Sequence, residues 1–559
     1  MRVAVLRQNV GMLPGDTADQ RKARGAYFTP APVARFIVDW AVRTSNDAVL
    51  EPSCGEAVFL QEVGRGRSHG GPLVGVEIHK ESAAVSERTL RAEGISAEIH
   101  HADFFLHDEF GAYDVAIGNP PYVRYHGWAG EARAQSRRAA LNAGVNLNNL
   151  ASSWAAFTVH SALHLREGGR LGLVLPAELL TVNYAAPVRR FLMDHFSSVT
   201  LVMFEERVFA GVDVEAVLLL ADGYHPSGES GTDHMNLFQV RDAAGLQRLS
   251  VARRWAPPSR SARWSAGMLS SAGLEAYARA TSLDGFGLLS QWGETTLGMV
   301  TGNNRYFALT AAQVAQLGLE PTDIIALSPP GSRHLRGLSL TRHRLNVLET
   351  EGLATFLFRP LGEPSDAALR YIRAGEERGV HEAYKCRVRS PWWRVPYLRP
   401  ADLFLTYMNA DTPRLSSNRA RVHHLNSVHG VFLQNENRAF GMNLLPIASL
   451  NSVTLLGAET VGRAYGGGML KIEPGEADFL PMPSPAFLTG YSEELTALRP
   501  RVAAALRRGQ LLDAVALVDE VLLVRGLGMA EEAITAIRDD HASLTARRVT
   551  RSKRGNGAK

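Results

Sequence analysis

The order of apolar and polar positions changes character once along the chain, near Ala221. Before that point short apolar runs alternate with longer amphipathic stretches. Ala48–Leu50, Leu73–Val76, Ala97–His100, Val115–Gly118 and Leu171–Leu175 have strand length, whereas Lys80–Ala92, Ser153–Leu165 and Ala186–His195 carry apolar residues at helical spacing. Continuous apolar strands separated by helices predict a parallel sheet covered on both faces. Ahead of them, Pro32–Val42 places Val33, Phe36, Ile37, Trp40 and Ala41 on one helical face, and Thr29-Pro30 reads as an N-cap followed by proline at the first helical position. Residues 222–262, rich in Gly, Ser, Asp and Arg, read as a boundary with connecting structure. From about Thr295 to Pro485 short strands, turns and aromatics follow without a regular period. Helical spacing returns over residues 492–540, for example at Leu511, Val515, Val518 and Leu522, and the basic tail Arg547–Lys559 reads as a frayed end.

At 559 residues the chain is long enough for two to four domains. Apolar residues at 45% and charged residues at 21% describe a globular protein and exclude a disordered or collagen-like one. The formal charge is only +4, from 60 basic and 56 acidic residues, so net charge alone does not point to a nucleic-acid partner. Only six of the 60 basic residues are Lys, a skew that a GC-rich coding sequence produces by itself. Two cysteines, Cys54 and Cys386, exclude a disulfide scaffold and a four-cysteine zinc site, and no metal site is expected. Neither a signal-peptide pattern nor a membrane-length apolar window is present, which leads us to expect a soluble, cytoplasmic protein without a membrane partner.

The sharpest chemical signal is Asn119-Pro120-Pro121-Tyr122, directly after the apolar run Val115–Gly118. Consecutive prolines hold an extended loop and remove two N–H donors, leaving an Asn side chain and backbone carbonyls at a strand's C-terminal end. Open α/β sheets bind ligands in that crevice. Paired acceptors suit a planar amino group, and an aromatic neighbour can stack on the ring that bears it. An exocyclic amine on adenine or cytosine is a poor nucleophile because its lone pair is delocalised. Acceptors out of the ring plane localise that pair, so positioning and electrostatics carry the catalysis. The competing reading of the tetrapeptide alone is an ordinary proline-rich turn after a strand.

Its context is richer. Val49 to Leu60, through Glu51-Pro52-Ser53-Cys54-Gly55-Glu56-Ala57, reads as strand, tight turn and helix start. Ala57 stands where a dinucleotide fingerprint has its second Gly, and no phosphate-loop GKS/T is present. The next two strands end in Glu77 and in Asp103-Phe104, offering acceptors and a ring at successive strand ends. Each acid alone could be a helix cap; in series before Asn119–Tyr122 they describe a nucleoside site.

This series resembles the N6-adenine DNA methyltransferases of restriction–modification systems in their gamma arrangement: Gly25–Pro30, then Glu51 to Leu60, Glu77, Asp103-Phe104 and Asn119–Tyr122, with target recognition last. The resemblance implies a Rossmann-like, seven-stranded class I methyltransferase sheet, followed by a mixed α+β target recognition domain and a C-terminal helical segment. The corresponding expected boundaries are a leader at 1–24, a methyltransferase domain at 25–225, a connecting region at 226–290, target recognition at 291–485 and helices with a basic tail at 486–559. It implies S-adenosyl-L-methionine as cofactor, with Thr29 and Glu51 near its methionine part and the Pro52-Ser53-Cys54-Gly55 turn among its contacts. Glu77 would meet the ribose, Asp103 and Phe104 the adenine, and Phe157 would lie beside the cofactor; Asn119 would face both ligands. The Asn119 side chain and the Pro120 carbonyl would accept the N6 hydrogens in the loop stiffened by Pro121. Tyr122 would stack on the flipped base, and Phe209 would pack on its other side. Ala57 is expected to crowd the cofactor turn modestly.

Residues 295–485 resemble the family's target recognition domain at Leu297–Phe307, Tyr465–Lys471 and Phe479–Pro483. Arg333, Arg336, Arg387, Arg389, Arg394, Arg399, Arg414 and Arg419 lie there among Trp392, Trp393, Tyr397 and Tyr407, a composition suited to duplex DNA. A separate restriction endonuclease or defence subunit is the further partner that such a system implies. Nothing nuclease-like precedes residue 24, so modification without cleavage is expected of this chain. Two alternatives stand beside this one. The same tetrapeptide resembles RNA guanine and release-factor glutamine methyltransferases, which are shorter and lack a long following domain. A catalytically silent, DNA-binding specificity subunit is the other, and Ser rather than Asn is commoner in the related cytosine-N4 enzymes.

Overall fold

A computed structural model of the chain describes residues 29–553 apart from 67, 124–130, 149–150, 207, 210–215, 230, 250–251 and 258. The expected leader, Gly25–Phe28 and the last residues of the tail therefore lie outside the described residues. The chain divides into two compact units, Met1–Met268 and Leu269–Lys559.

In the first unit the apolar runs become β1 (Val49–Pro52), β2 (Leu73–Glu77), β3 (Glu98–His101), β4 (Tyr113–Gly118) and β5 (Leu165–Pro176). They are joined by β6 (Phe196–Phe204), β7 (Ala216–Tyr224), β8 (Met235–Val240) and β9 (Arg253–Trp255). The sheet order is β3-β2-β1-β4-β5-β7-β6-β8-β9. Strands β1 to β5 pair in parallel, but β7 runs antiparallel to both β5 and β6, and β9 antiparallel to β8. Nine mixed strands replace the expected seven. The two extra ones come from the segment expected to be connecting structure, whose division from the second unit falls at residue 268. The three-residue β9 forms the sheet's edge, and β8 beside it has its apolar residues interrupted by Asn236 and Gln239.

Helices α1 (Ala31–Ala41), α2 (Val58–Gly66), α3 (Lys80–Ala92), α4 (Glu131–Asn142), α5 (Ser153–Leu163) and α6 (Ala186–His195) accompany the strands. Val33 and Ile37 of α1 and Phe59 and Leu60 of α2 share one apolar cluster with Val115, Ile117, Val174 and Val202 of the sheet. Helix α5 is buried on every side from Ser153 to Ala162, as a helix apolar all round must be. Thr29 is not the N-cap of α1: Pro30 holds that position, without a side-chain cap, and Pro32 stands in the first turn. Pro30 contributes its carbonyl to Val33 and Ala34, and the Thr29 hydroxyl is engaged elsewhere.

The second unit holds a five-stranded sheet with the order Gly293–Leu297, Val428–Leu433, Leu403–Thr406, Leu415–Asn418 and Ser339–Leu340. Its helices include Asp366–Glu377, Arg438–Ala448 and Ser452–Val461, and the expected C-terminal helices appear as Ser492–Arg507, Leu511–Asp519 and Glu531–Lys553. These last are stitched into the unit. Arg548 meets Glu459 at 2.7 Å with both side chains at most 4% exposed, and Arg538 meets Asp519 at 2.9 Å. Asp540 accepts the Ser270 amide at 2.9 Å. No single helix among the described residues is long and apolar enough to cross a membrane.

Candidate active site

The strand order reverses between β1 and β4, and the predicted site residues converge on the C-terminal ends of β1 to β4 around that switch point. Leaving β1, the chain turns through Ser53, Gly55 and Ala57, all at φ of 55°. Left-handed geometry is free for glycine and costs about 1 kcal/mol for a residue with a Cβ. A Cβ on Gly55 would meet nothing within 4 Å, so the turn presents open space at the strand ends. By contrast Ala57 is fully buried and belongs to the apolar cluster. Its methyl faces the core, which corrects the expectation that it crowds the ligand side of the turn.

Carboxylates tie the turn together. Glu77 accepts the Gly55 amide at 2.9 Å and the His79 amide at 2.8 Å. Glu51 accepts the Leu60 amide at 3.0 Å and the Phe59 amide at 3.4 Å, satisfying the first turn of α2. Burial pushes the Glu51 carboxyl up to about 8, against the pull of those two amides and with the Glu77 charge adding to the rise. Cys54 bonds through its backbone to the Val76 carbonyl at 2.9 Å, and burial beside Glu51 and Glu77 raises its thiol further, leaving it a packed, protonated residue. Pro52 closes β1.

After β3, the Asp103 carboxylate caps a short turn by accepting the Phe105 amide at 3.0 Å. Phe104 stacks on Phe157 of α5 with centroids 5.5 Å apart and planes 16° from parallel. Phe104 is 3% and Phe157 7% exposed, so this pair is both core and the wall of the crevice. Beneath it His160 donates from Nε2 to the Phe104 carbonyl at 3.0 Å. Burial drives His160 down to about 3 and His164 to about 4, so both imidazoles are neutral.

At the end of β4, Asn119 is oriented from two sides. Its Nδ2 donates to Thr29 Oγ1 at 3.2 Å, and its Oδ1 accepts from the Tyr122 hydroxyl at 2.9 Å, which also lies 3.0 Å from the Val174 carbonyl. Thr29, expected beside a cofactor, thus bonds the Asn119 amide and shares its orientation with Tyr122. Ser153, at the start of α5, donates to the Pro121 carbonyl and accepts the Val123 amide at 2.9 Å. Among the described residues no donor reaches the buried Pro120 carbonyl. Phe209 is not displayed as an open ring: it is 5% exposed and packed in the apolar cluster with Leu218 and Val240. Ser153 and Val174 were not singled out for the loop from sequence. The one available signal was a hydroxyl residue opening the helix that follows a double-proline loop.

Residues 12–231 match the family described as N-6 DNA Methylase, and residues 261–523 match the C-terminal domain of the Type II methyltransferase M.Eco57I. The Type II methyltransferase M.AccI of Acinetobacter calcoaceticus is 21% identical over 480 residues, covering 82% of this chain and 85% of that protein. The Type II methyltransferase M.XamI of Xanthomonas campestris pv. amaranthicola is 26% identical over 477 residues, with the same coverage of 82% and 85%. The solved type IIG restriction endonuclease BpuSI is 13% identical, with a TM-score of 0.41, over 96% of this chain and 68% of that one.

Proposed function

Since this chain belongs to the N6-adenine DNA methyltransferases of restriction–modification systems, we propose that Asn119, Pro120 and Tyr122 carry the methylation of an adenine amino group in duplex DNA. The observation that carries this is the two-sided hold on Asn119 at the switch point. With Nδ2 tied to Thr29, the amide oxygen has a defined direction before a base arrives. A carbonyl oxygen has two lone pairs, so Oδ1 can accept one N6 hydrogen beside the Tyr122 hydroxyl while the Pro120 carbonyl accepts the other. The nitrogen lone pair is then localised for attack, and the surplus proton leaves to water afterwards. Pro121 and Ser153 keep the two acceptors in register. Because N6 lies inside a stacked duplex, the base must be extruded, and Tyr122 supplies the face on which it stacks. The buried wall containing Phe209 would back its other side.

S-adenosyl-L-methionine supplies a methyl group on a sulfonium centre when bound, and the residues at the strand ends fit it. Glu77 and Asp103 each retain acceptor capacity beyond their backbone bonds, for ribose hydroxyls and an adenine amine respectively. Phe104, braced by Phe157, offers a ring for the adenine. The open side of Gly55, with Pro52, Ser53 and Cys54, would receive the methionine part beside Glu51 and Thr29. A separate restriction endonuclease or defence subunit would complete the system.

The test is transfer of label from radiolabelled S-adenosyl-L-methionine to long duplex DNA of many sequences, with RNA and release factor as parallel substrates. Label recovered as N6-methyladenine, and reduced about 10²–10³-fold in kcat by Asn119→Ala with cofactor affinity kept, is the expected result. Label in RNA or protein, but not DNA, would replace the proposal with one of the shorter-family activities. Cofactor and DNA binding with no transfer to any substrate would identify a silent specificity subunit.

A further inference from the structure

The arginines of the second unit fall into two groups. Arg336 and Arg414 both bond Asp411, Arg414 at 3.0 Å and only 5% exposed, and Arg419 bonds Asn443. Those side chains are committed to the fold. The stretch Tyr384–Arg399 is different. Its sixteen residues contain Lys385, Arg387, Arg389, Arg394 and Arg399 and no acidic residue, although the whole chain nets only +4. Among the described residues, none of these five forms an ion pair.

Arg389 is half-buried and donates to the Thr301 carbonyl, whereas aromatic packing orients Arg394 and Arg399. The Arg394 guanidinium lies 5.1 Å from the Trp393 ring centroid and that of Arg399 4.4 Å from Phe432. An aromatic face orients a guanidinium without neutralising it, so its full charge and its N–H donors stay directed outward. The backbone of the stretch is pinned by Cys386 and Val395, both fully buried, and by Trp392, which packs on Tyr306 and Phe307. Close approach adds to this: a Cβ on Gly302 would fall 3.1 Å from Cys386 Sγ and Lys385 Cβ. On either side of the anchors, Tyr384 is 63% and Tyr397 56% exposed. Exposed cations without ion-pair partners at Arg387, Arg394 and Arg399, with exposed tyrosines in the same stretch, are the chemistry of a polyanion surface with a sugar or base edge beside it.

We propose that Tyr384–Arg399 is the surface through which this unit grips the phosphates of duplex DNA, a proposal that rests on the DNA methylation assigned above. Each phosphate neutralised releases counterions, so each contact appears as about 0.9 in the slope of log affinity against log salt. The experiment measures anisotropy of a short labelled duplex of randomised sequence with the full chain, from about 50 to 200 mM KCl. A triple variant, Arg387→Gln with Arg394→Gln and Arg399→Gln, is compared with a charge-matched control, Arg344→Gln with Arg507→Gln and Arg525→Gln. All six positions are exposed, so both should fold, and unchanged S-adenosyl-L-methionine binding checks this. The expected result is a slope about 2–3 smaller and affinity tens-fold weaker for the first triple only. Equal slopes for the two triples would overturn the proposal while leaving methylation of DNA intact. A wild-type chain that shows no salt-dependent binding and labels RNA or protein instead would remove the DNA assignment itself, and this surface with it.

Discussion

At the end of the first unit's sheet where β1, β4 and β5 begin, carboxylates meet guanidinium groups. Asp47 meets Arg170 at 2.9 Å, Asp114 meets Arg166 at 3.1 Å, and Asp222, on the returning β7, meets Arg43 at 2.5 Å. At the end where β1 to β3 finish, Glu51, Glu77 and Asp103 form no ion pair among the described residues, and backbone amides are their partners. Folding has satisfied the charges at one end and left acceptor capacity at the other. A parallel sheet makes that division possible, because all its loops of one kind open on the same side. The paired end should therefore govern stability, and the unpaired end should govern ligands and chemistry.

The strongest way to break this contrast is to remove Asp47. Arg170 would remain buried with its main counter-charge gone, at a cost of about 3–5 kcal/mol. A large fall in Tm by calorimetry, with turnover per folded molecule and cofactor affinity unchanged, is expected of Asp47→Ala. If turnover fell while Tm held, the assignment of roles to the two ends would be wrong.

The pH dependence of stability sharpens the same contrast, because the two ends carry opposite signs. Burial raises Asp47, but the Thr44 hydroxyl, the Arg43 amide and Arg170 outweigh it and leave it below the usual carboxylate range. Its stabilising contribution is present above its ordinary value of 3.8 and lost as pH falls further. Glu51 behaves in reverse, with an ordinary value of 4.5 and about 8 in the fold. Between those limits the native state holds a proton that the unfolded chain has released, so stability falls as pH rises and the contribution is gone by about pH 8. By pH 7 that amounts to roughly 3 kcal/mol. Glu51→Gln, which keeps an acceptor for the α2 amides, should flatten the decline of Tm between pH 5 and 8; an unchanged decline would show that Glu51 is not the group responsible.

Much of the sheet and the loop motif was legible in the sequence, whereas the ion pairs at the other end were not. The strands β1, β2 and β4 show because both their faces are covered, so their apolar runs are unbroken, whereas the edge strand β3 is largely exposed; Lys80–Ala92 and Ala186–His195 appear with the boundaries their spacing predicts. Strand β9 was hidden because it is a three-residue edge, and β8 because Asn236 and Gln239 break its apolar run. Asn119–Tyr122 was visible as a local motif, whereas its supports were not: Thr29 lies ninety residues away and Val174 fifty-two from Tyr122. Contacts of that separation leave no local period. The eight arginines named between Arg333 and Arg419 posed the same difficulty, since only the position of Asp411 distinguishes Arg336 and Arg414 from Arg394 and Arg399.

Ser153 tests whether the unpaired end has its own supports. Deleting its hydroxyl frees the Pro121 carbonyl and the Val123 amide, a loss of about 1–2 kcal/mol of loop order. In a site whose chemistry is positioning, that should appear as roughly a tenfold fall in kcat for Ser153→Ala, with cofactor affinity retained and Ser153→Thr restoring most of the rate. A fall in Tm alone would make Ser153 an ordinary helix-start residue.

The smallest effects come from within the β1 turn, where the contrast narrows to two residues with the same backbone conformation. Ala57 and Gly55 both sit at φ of 55°, but the Ala57 methyl is in the core and the Gly55 side is open. Ala57→Gly relieves left-handed strain of about 1 kcal/mol and gives up a buried methyl and some chain stiffness of similar size. The expected change in stability is below ~1 kcal/mol, with cofactor affinity unmoved. Gly55→Ala incurs the same backbone strain but projects its methyl into the space at the strand ends, so cofactor affinity should fall more than Tm does. Isothermal titration with S-adenosyl-L-methionine beside calorimetric Tm separates the two. Equal loss of affinity in both variants would mean that the turn acts as one rigid piece, and that the division between a core-facing and a ligand-facing side does not reach down to neighbouring residues.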